Sequence, residues 1–411
     1  MPWSEIRPMD RKLQFISFAI ESPLTMTELC SIFSISRKTG YKWLRRYDKD
    51  GLEGLKNQST APNHIPHKTS NEATGFIVSC RKKHPFWGGR KITQQAEQVA
   101  PRLELPSETT INNIIKREGL TRKKRRRHKP AHPGRPSTTA EKPNDIWTTD
   151  FKGEFKTKDG VYCYPLTILD EKSRFLIECQ GLYSTGYGGA FKVFKRVFKE
   201  YGLPKAIKSD NGVPFATTGL ARLSKLSVWW IKLGINPILI QPASPYQNGV
   251  HERMHKTLKA ESTIPPAGNL KAQQRRFNTW RDEYNWDRPH EALEGKYPSQ
   301  VYKPSLEEYP SKLPSVEYPD HFEVRFVSAN HCFRWNHRAV PVSSTLVHEY
   351  VGLEEVMDGI WAVYFSWKRL GFLDEKKMRI IDDLGRLKRK KVLPMFLERF
   401  VTYLPFPSFA F

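Results

Sequence analysis

The tightest constraint on the fold lies between residues 206 and 260, where a strand has to stop on one carboxylate and a helix has to begin on another. Ala206-Ile207-Lys208-Ser209 is a short strand-like run, and Asp210-Asn211-Gly212 supplies the tight turn that ends it. Asp210 is therefore expected at a strand tip. Asn248 is a good helix N-cap residue, and Glu252 follows four residues later at the head of a helix-compatible run reaching 260. Its carboxylate falls in the first helical turn. Upstream, Ile146-Trp147-Thr148-Thr149-Asp150-Phe151 has the aromatic and β-branched content of a strand and carries Asp150 within it.

Three acids on three elements need a reason to converge. Two carboxylates about 4 Å apart repel by roughly 1 kcal/mol in water and about 4 kcal/mol at an effective dielectric of about 20. Divalent cations reverse that sign. Hard oxygen ligands suit Mg²⁺ or Mn²⁺, and two such ions about 3.5–4 Å apart can hold the attacking and leaving oxygens of an in-line displacement at phosphorus. Each acid also has a plainer reading: Asp210 as a turn former, Glu252 as a first-turn acid favoured by the helix dipole, Asp150 as an edge-strand residue. Asp170, in Leu169-Asp170-Glu171-Lys172, is a rival carboxylate and reads as a hairpin residue.

The order W-T-T-D-F-K-G, then K-S-D-N-G-V-P-F, then Q-N-G-V-H-E-R-M-H-K-T-L-K resembles the DDE transposases of bacterial insertion sequences, whose catalytic domain is similar to that of retroviral integrases. The resemblance implies that Asp150, Asp210 and Glu252 are the catalytic and metal-binding residues, with Mg²⁺ as cofactor and Mn²⁺ as its substitute. It also implies that Arg253 supports the active site and that Lys256 and Lys259, on the same helical face as Glu252, clamp terminal DNA. The chain departs from the pattern in one respect. Between Asp210 and Glu252 lie 41 residues, more than the commonest family spacing, and the excess is expected in 217–230 as an enlarged helix start. The retroviral zinc-binding unit has no counterpart, since His64 and His67 lack a Cys-x-x-Cys partner.

The 411 residues suggest about three domains. Their 67 Lys and Arg against 43 Asp and Glu, a net charge of +24, call for a polyanionic partner. No apolar run is long enough to span a bilayer, the N-terminus has no signal-peptide core, and five scattered cysteines form no Cys-x-x-Cys pair. A reducing bacterial cytoplasm, with nucleoid association, is the expected setting, without disulfides, zinc or membrane.

Residues 1–60 read as a helix-turn-helix domain with helices at 11–21, 26–32 and 37–47. In the third, Tyr41, Leu44 and Tyr47 are expected to face the core, leaving Arg37, Lys38, Lys42, Arg45 and Arg46 for DNA. Residues 61–120 read as a second such unit with helices at 71–83, 91–99 and 108–119. Asn112, Asn113 and Lys116 are its candidate DNA contacts, because Asn can pair with the major-groove edge of adenine. Residues 121–143 form a basic linker that includes Arg125, Arg126 and Arg127, and such a block stays extended unless phosphates neutralise it.

The catalytic core is expected at 144–303, with three strands in antiparallel meander, a helix at 188–201, the Asp210 strand, a long helix at 215–233, a strand at 237–240, the Glu252 helix and a helix at 270–285. This mixed α/β order fits the ribonuclease H-like fold that the resemblance implies. Asp150 and Asp210 should then sit on neighbouring central strands. Residues 242–247 look like a mobile loop in which Tyr246 could stack on an unpaired base. From 304 to 411 a period-two pattern at 321–328, 332–342 and 361–367 predicts a small β-barrel-like domain ending near Leu373, followed by a basic patch at 388–391 and an aromatic tail.

The fold class is thus multidomain: all-α helix-turn-helix units, an α/β ribonuclease H-like core and a β-barrel-like end. The implied function is a transposase that binds double-stranded DNA at its element's terminal inverted repeats, cuts a strand and joins the 3′-hydroxyl to target DNA, working as a homodimer or larger assembly. The alternatives are a catalytically inactive DNA-binding regulator, which would not need three acids, and an RNA-cleaving ribonuclease H, which would not need two helix-turn-helix units.

Overall fold

Polar caps separate the first three helices. The computed structural model describes residues 8–57, 69–121, 140–240 and 248–382, and the chain divides after Thr69 into two units. In the first unit, α1 (Pro8–Glu21), α2 (Met26–Ile32) and α3 (Arg37–Asp50) enclose Phe15, Ile16, Leu29, Cys30 and Leu55. Thr25 and Glu28 form a reciprocal capping box on α2, and Ser36 accepts from the Thr39 amide on α3, each cap adding about 1 kcal/mol. The expectation for Tyr41 fails: it is 44% exposed, and Trp43 packs against the core with Leu44 and Tyr47. Gly40 explains the difference. A Cβ there would lie 2.7 Å from Cys30 Sγ, so α2 meets α3 at residue 40, and the inward stripe runs 40, 43, 44, 47.

The second unit opens with α4 (Asn71–Lys83), α5 (Gly89–Val99) and α6 (Glu108–Arg117), packed around Ile77, Trp87, Ile92, Ile111, Ile114 and Ile115. These helices are tied to the rest of the unit through α5. Lys91 Nζ donates to the Pro289 carbonyl at 2.7 Å, and Tyr297 Oη bonds Gln95 Oε1 at 3.2 Å.

The central sheet has the order β2-β3-β1-β5-β6, with β4 also on β3. Strands β1 (Ile146–Phe151), β2 (Phe155–Lys156), β3 (Tyr162–Asp170) and β4 (Leu176–Leu182) form the antiparallel part. After α7 (Tyr187–Tyr201), β5 (Ala206–Ser209) lies parallel to β1. Then α8 (Lys225–Lys232) leads to β6 (Asn236–Leu239), parallel to β5. Helices α9 (Gly249–Ser262), α10 (Leu270–Trp286) and α11 (Pro298–Val301) complete the core.

The expected long helix at 215–233 is replaced by a loop and a short helix. Thr217 Oγ1 donates to the Leu223 carbonyl at 2.7 Å and accepts from the Gly219 amide, which closes the segment on itself. Ala221 and Arg222 have positive φ, so no helix can run through them. Helix α8 starts only after the Ser224–Ser227 capping box. The extra length between Asp210 and Glu252 includes this loop.

The last described elements are β7 (Glu323–Phe326), β8 (Cys332–Trp335), β9 (Arg338–Pro341), β10 (Tyr350–Met357), β11 (Ile360–Phe365), β12 (Lys368–Asp374) and β13 (Arg379–Ile381). They form a sheet β13-β12-β11-β10-β7 and a β8-β9 hairpin. Among the described residues no pairing closes this sheet, so the β-rich end is a sheet domain in which the expected barrel closure is not seen. The span 332–342 is a hairpin, because Asn336 and His337 take positive φ and turn the chain. The pattern also continues past Leu373 to Ile381. Strand β10 escapes a period-two search because Val351, Gly352 and Leu353 are all buried. Residues 388–391 and the aromatic tail lie outside the described residues.

Candidate active site

The parallel pairing of β1 with β5 brings two acids side by side. The register runs to Thr149 opposite Ser209, so Asp150 and Asp210 are the next residues at the C-terminal ends of adjacent central strands. Backbone geometry fixes Asp210: its Oδ1 accepts from the Gly212 amide at 3.1 Å, and a Cβ on Gly212 would stand 3.0 Å from its Oδ2. Asn211 ties the turn to the Ile240 carbonyl at 2.7 Å and accepts from Arg222 at 3.1 Å.

Glu252 lies in the first turn of α9 and is exposed. Asn248 occupies the N-cap position but makes no side-chain cap bond, and its Oδ1 is buried without a partner, so the capping expected from sequence is not made. Helix α9 is held instead at its far end and along its inner face. Glu261 accepts from Trp280 Nε1 and from Arg288, each at 2.9 Å.

Electrostatics couple Asp150 to Asp210 and, more weakly, to Glu252. Burial, then the charge of Asp210, and to a smaller degree that of Glu252, push the Asp150 carboxyl up to about 7. Burial also raises Asp210, against the pull of the Gly212 amide. Asp150 and Asp210 are thus an under-compensated anionic pair, the donor chemistry that a hard divalent cation satisfies. Among the described residues no trio of Asp, Glu, His or Cys is grouped tightly enough to hold one ion. Asp170, the rival, is fully buried and accepts from the Asn144 amide and from the Ser173 amide and hydroxyl, which makes it the anchor of its own turn.

Five residues around the acids escaped the sequence reading. His251 and His255 stand one turn apart on α9, and both Nε2 atoms lie 2.7 Å from Thr167 Oγ1. His251 Nδ1 is 2.8 Å from Thr148 Oγ1, and His255 Nδ1 is 3.7 Å from Asp150 Oδ2. Burial keeps both imidazoles neutral, pulling His251 well below its usual value and, with a small push from Lys152, His255 down to about 3. The i, i+4 histidines flanking Glu252 were the available signal. Lys152 was also missed. It is half-buried, its amine pulled down by burial and by Lys259, and held up by Asp150.

The residues expected to meet DNA are distributed over several surfaces. Arg37, Lys38, Lys42 and Arg45 are exposed on α3, whereas Arg46 is half-buried with its guanidinium 5.2 Å from the Trp43 ring centre. Lys12 joins that cluster at 3.9 Å from the same ring. On α6, Asn112, Asn113 and Lys116 are exposed, although Asn112 Oδ1 already accepts from the Gly89 amide at 3.0 Å. Arg253, Lys256 and Lys259 are exposed on α9. Arg125, Arg126, Arg127, Tyr246, His64 and His67 lie outside the described residues. No described helix is long and apolar enough to cross a membrane.

Comparison with known proteins agrees with this architecture. Integrase core domain models match residues 140–245 and 233–298, a helix-turn-helix domain model matches 11–62, and a homeodomain-like domain model matches 39–115. The chain is 24% identical over 252 residues to the uncharacterized 39.2 kDa protein of insertion element IS476 from Xanthomonas euvesicatoria, covering 60% of this chain and 69% of that protein. It is 27% identical over 161 residues to the uncharacterized 31.7 kDa protein of insertion element IS407 from Burkholderia multivorans, covering 38% of this chain and 55% of that one. Among solved structures, the HTLV-2 integrase catalytic core domain in complex with magnesium aligns with 17% identity and a TM-score of 0.32, over 40% of this chain and 99% of its own. One polypeptide thus joins integrase core domains to helix-turn-helix domains and is similar to insertion-element proteins.

Proposed function

We propose that this protein is the transposase of an insertion sequence, binding the terminal inverted repeats of its element, cleaving a DNA strand and transferring the freed 3′-hydroxyl to target DNA. The observation that carries the reading is the pair of acids at the ends of parallel strands β1 and β5, with Glu252 close enough to add to the strain on Asp150. Asp150, Asp210 and Glu252 would hold Mg²⁺, or Mn²⁺ in its place. When bound, such ions activate the attacking oxygen and neutralise the departing one.

The rest of the work falls to this chain's own side chains. The positive edge of Lys152, Lys256 and Lys259 steers phosphates toward the acids, and Arg253 supports the site from the same helix. Helices α3 and α6 contact the element ends through Arg37, Lys38, Lys42, Arg45, Arg46, Asn112, Asn113 and Lys116. Arg125, Arg126, Arg127 and Tyr246 would add contacts from the linker and the loop before α9. Two ends must be joined together, so the working form is a homodimer or larger assembly on DNA, in the bacterial nucleoid.

The test is strand cleavage and joining on a duplex carrying the element's own ends, in Mg²⁺, with wild type and Asp210→Asn compared at equal DNA binding. Activity in wild type alone is expected. Tight end binding without cleavage by either protein, in Mg²⁺ or Mn²⁺, would replace this reading with that of a non-catalytic DNA-binding regulator.

A further inference from the structure

A hydroxyl carries one proton, and Thr167 Oγ1 has three neighbours that want it. The Asp150 carbonyl oxygen is 3.0 Å away, and the Nε2 atoms of His251 and His255 are each at 2.7 Å. Thr167 is fully buried and sits opposite Asp150 in the β1–β3 register. Whichever way its proton points fixes which nitrogen of each ring is protonated, because a neutral imidazole has one N–H and one lone pair.

Once Asp150 is ionised, its carboxylate decides among the choices. If Thr167 donated to the Asp150 carbonyl, both rings would have to donate Nε2–H, and His255 would turn a bare Nδ1 lone pair toward Asp150 Oδ2 at 3.7 Å. Two facing electron pairs in a nearly dry site repel. If Thr167 donates to His255 Nε2 instead, the His255 proton lies on Nδ1 and presents a positive edge to the carboxylate. His251 then donates Nε2–H to Thr167 and accepts the Thr148 hydroxyl proton on Nδ1 at 2.8 Å. Every proton in this second arrangement faces an acceptor.

We infer that Thr167 is a positioning residue of the acid cluster: its hydroxyl, shared between His251 and His255, sets the register of α9 on the sheet and turns His255 Nδ1–H toward ionised Asp150. The two histidines bracket Glu252 in sequence, so the contact that faces Asp150 also fixes the turn of α9 that carries Glu252. This rests on the proposal that these acids hold a divalent cation.

The experiment uses the full chain with ¹⁵N-labelled histidine, as wild type, Thr167→Val and Thr167→Ser. Recorded at a pH where Asp150 is ionised, imidazole ¹⁵N shifts should report Nδ1–H for His255 in wild type and Thr167→Ser, and Nε2–H in Thr167→Val. Calorimetric Mn²⁺ affinity should fall about 10–100-fold in Thr167→Val, the usual loss when a group that orients a metal ligand is removed, and stay near wild type in Thr167→Ser. An Nε2–H tautomer of His255 in the wild type, or unchanged Mn²⁺ affinity in a folded Thr167→Val, overturns the inference. Should Thr167→Val not fold, the wild-type tautomer decides alone. Asp210→Asn run alongside separates the two ideas: if it binds Mn²⁺ as tightly as wild type, the metal reading fails, while the tautomer still judges Thr167.

Discussion

The two faces of the central sheet are built by different rules. On one face, Trp147, Leu166, Ile168 and Ile207 meet α7 and α8 in a largely apolar layer containing Phe194, Phe198 and Trp230. On the other, Thr148, Thr167 and Asp150 face α9 in a mixed layer, where two imidazoles and two hydroxyls lie beside an apolar patch of Leu169, Met254 and Leu258. Lys208, on the neighbouring strand, is buried in an ion pair with Glu171 at 2.7 Å. The same strands serve both faces by alternation of side chains. Apolar packing tolerates exchange of shape for shape, whereas a polar layer holds one register only, because each donor needs its own acceptor. The face that must place carboxylates is the polar one.

The largest effect that sharpens this contrast lies on the apolar face. Trp230 is fully buried, with Phe194 at 5.0 Å and Phe215 at 6.3 Å, so Trp230→Ala should cost about 3–5 kcal/mol in chemical denaturation. A loss under about 1 kcal/mol would show that this layer repacks freely. On the polar face, Glu171→Gln leaves the Lys208 ammonium, 2% exposed, without its anion and should cost about 3 kcal/mol. The contrast predicts more: Lys208→Met combined with Glu171→Leu should recover most of that loss, and failure to recover would mean the pair also sets the strand register.

A smaller effect follows from Asp150. Its folded pKa of about 7 lies above the ordinary carboxyl value, so the folded state binds its proton more tightly than the unfolded chain does. The stabilisation is complete at low pH and is lost as pH rises from about 4 to about 7. Metal-free wild type should therefore lose up to a few kcal/mol relative to Asp150→Asn across that window, and Mg²⁺ should restore it. Identical pH profiles for the two proteins without metal would show that the acids are not electrostatically strained.

Much of this contrast was legible in the sequence, and what was missed has a common cause. The strand tips and the Glu252 helix follow from local rules, since turn formers and periodicity act over a few residues, whereas the neighbouring placement of Asp150 and Asp210 came only with the fold that the resemblance implies. The loop at 217–223 was read as helix because its side chains allow one; the Thr217 to Leu223 bond that prevents it is a local closure no propensity shows. The histidines were hidden differently. His251 and His255 look like ordinary positions on a polar helix until Thr167, more than eighty residues upstream, supplies the atom that both share. A barrel was expected from alternation alone, but closure depends on pairing between distant edges, which alternation does not specify.

The smallest expected effect concerns the side of α9 that touches neither layer. His251, Met254, His255 and Leu258 are buried, while Glu252, Lys256 and Lys259 share the exposed stripe. Lys259 is close enough to Lys152 to depress its amine, so positive charge gathers beside Asp150. If that charge serves phosphates, Lys259→Ala should reduce the salt dependence of end binding by about one counterion and leave stability within about 0.5 kcal/mol. Lys256→Ala should do the same. Binding measured against salt concentration with an unchanged slope in both would make this stripe an ordinary solvated helix face, and the polar layer beneath it would then position acids that no DNA reaches from this side.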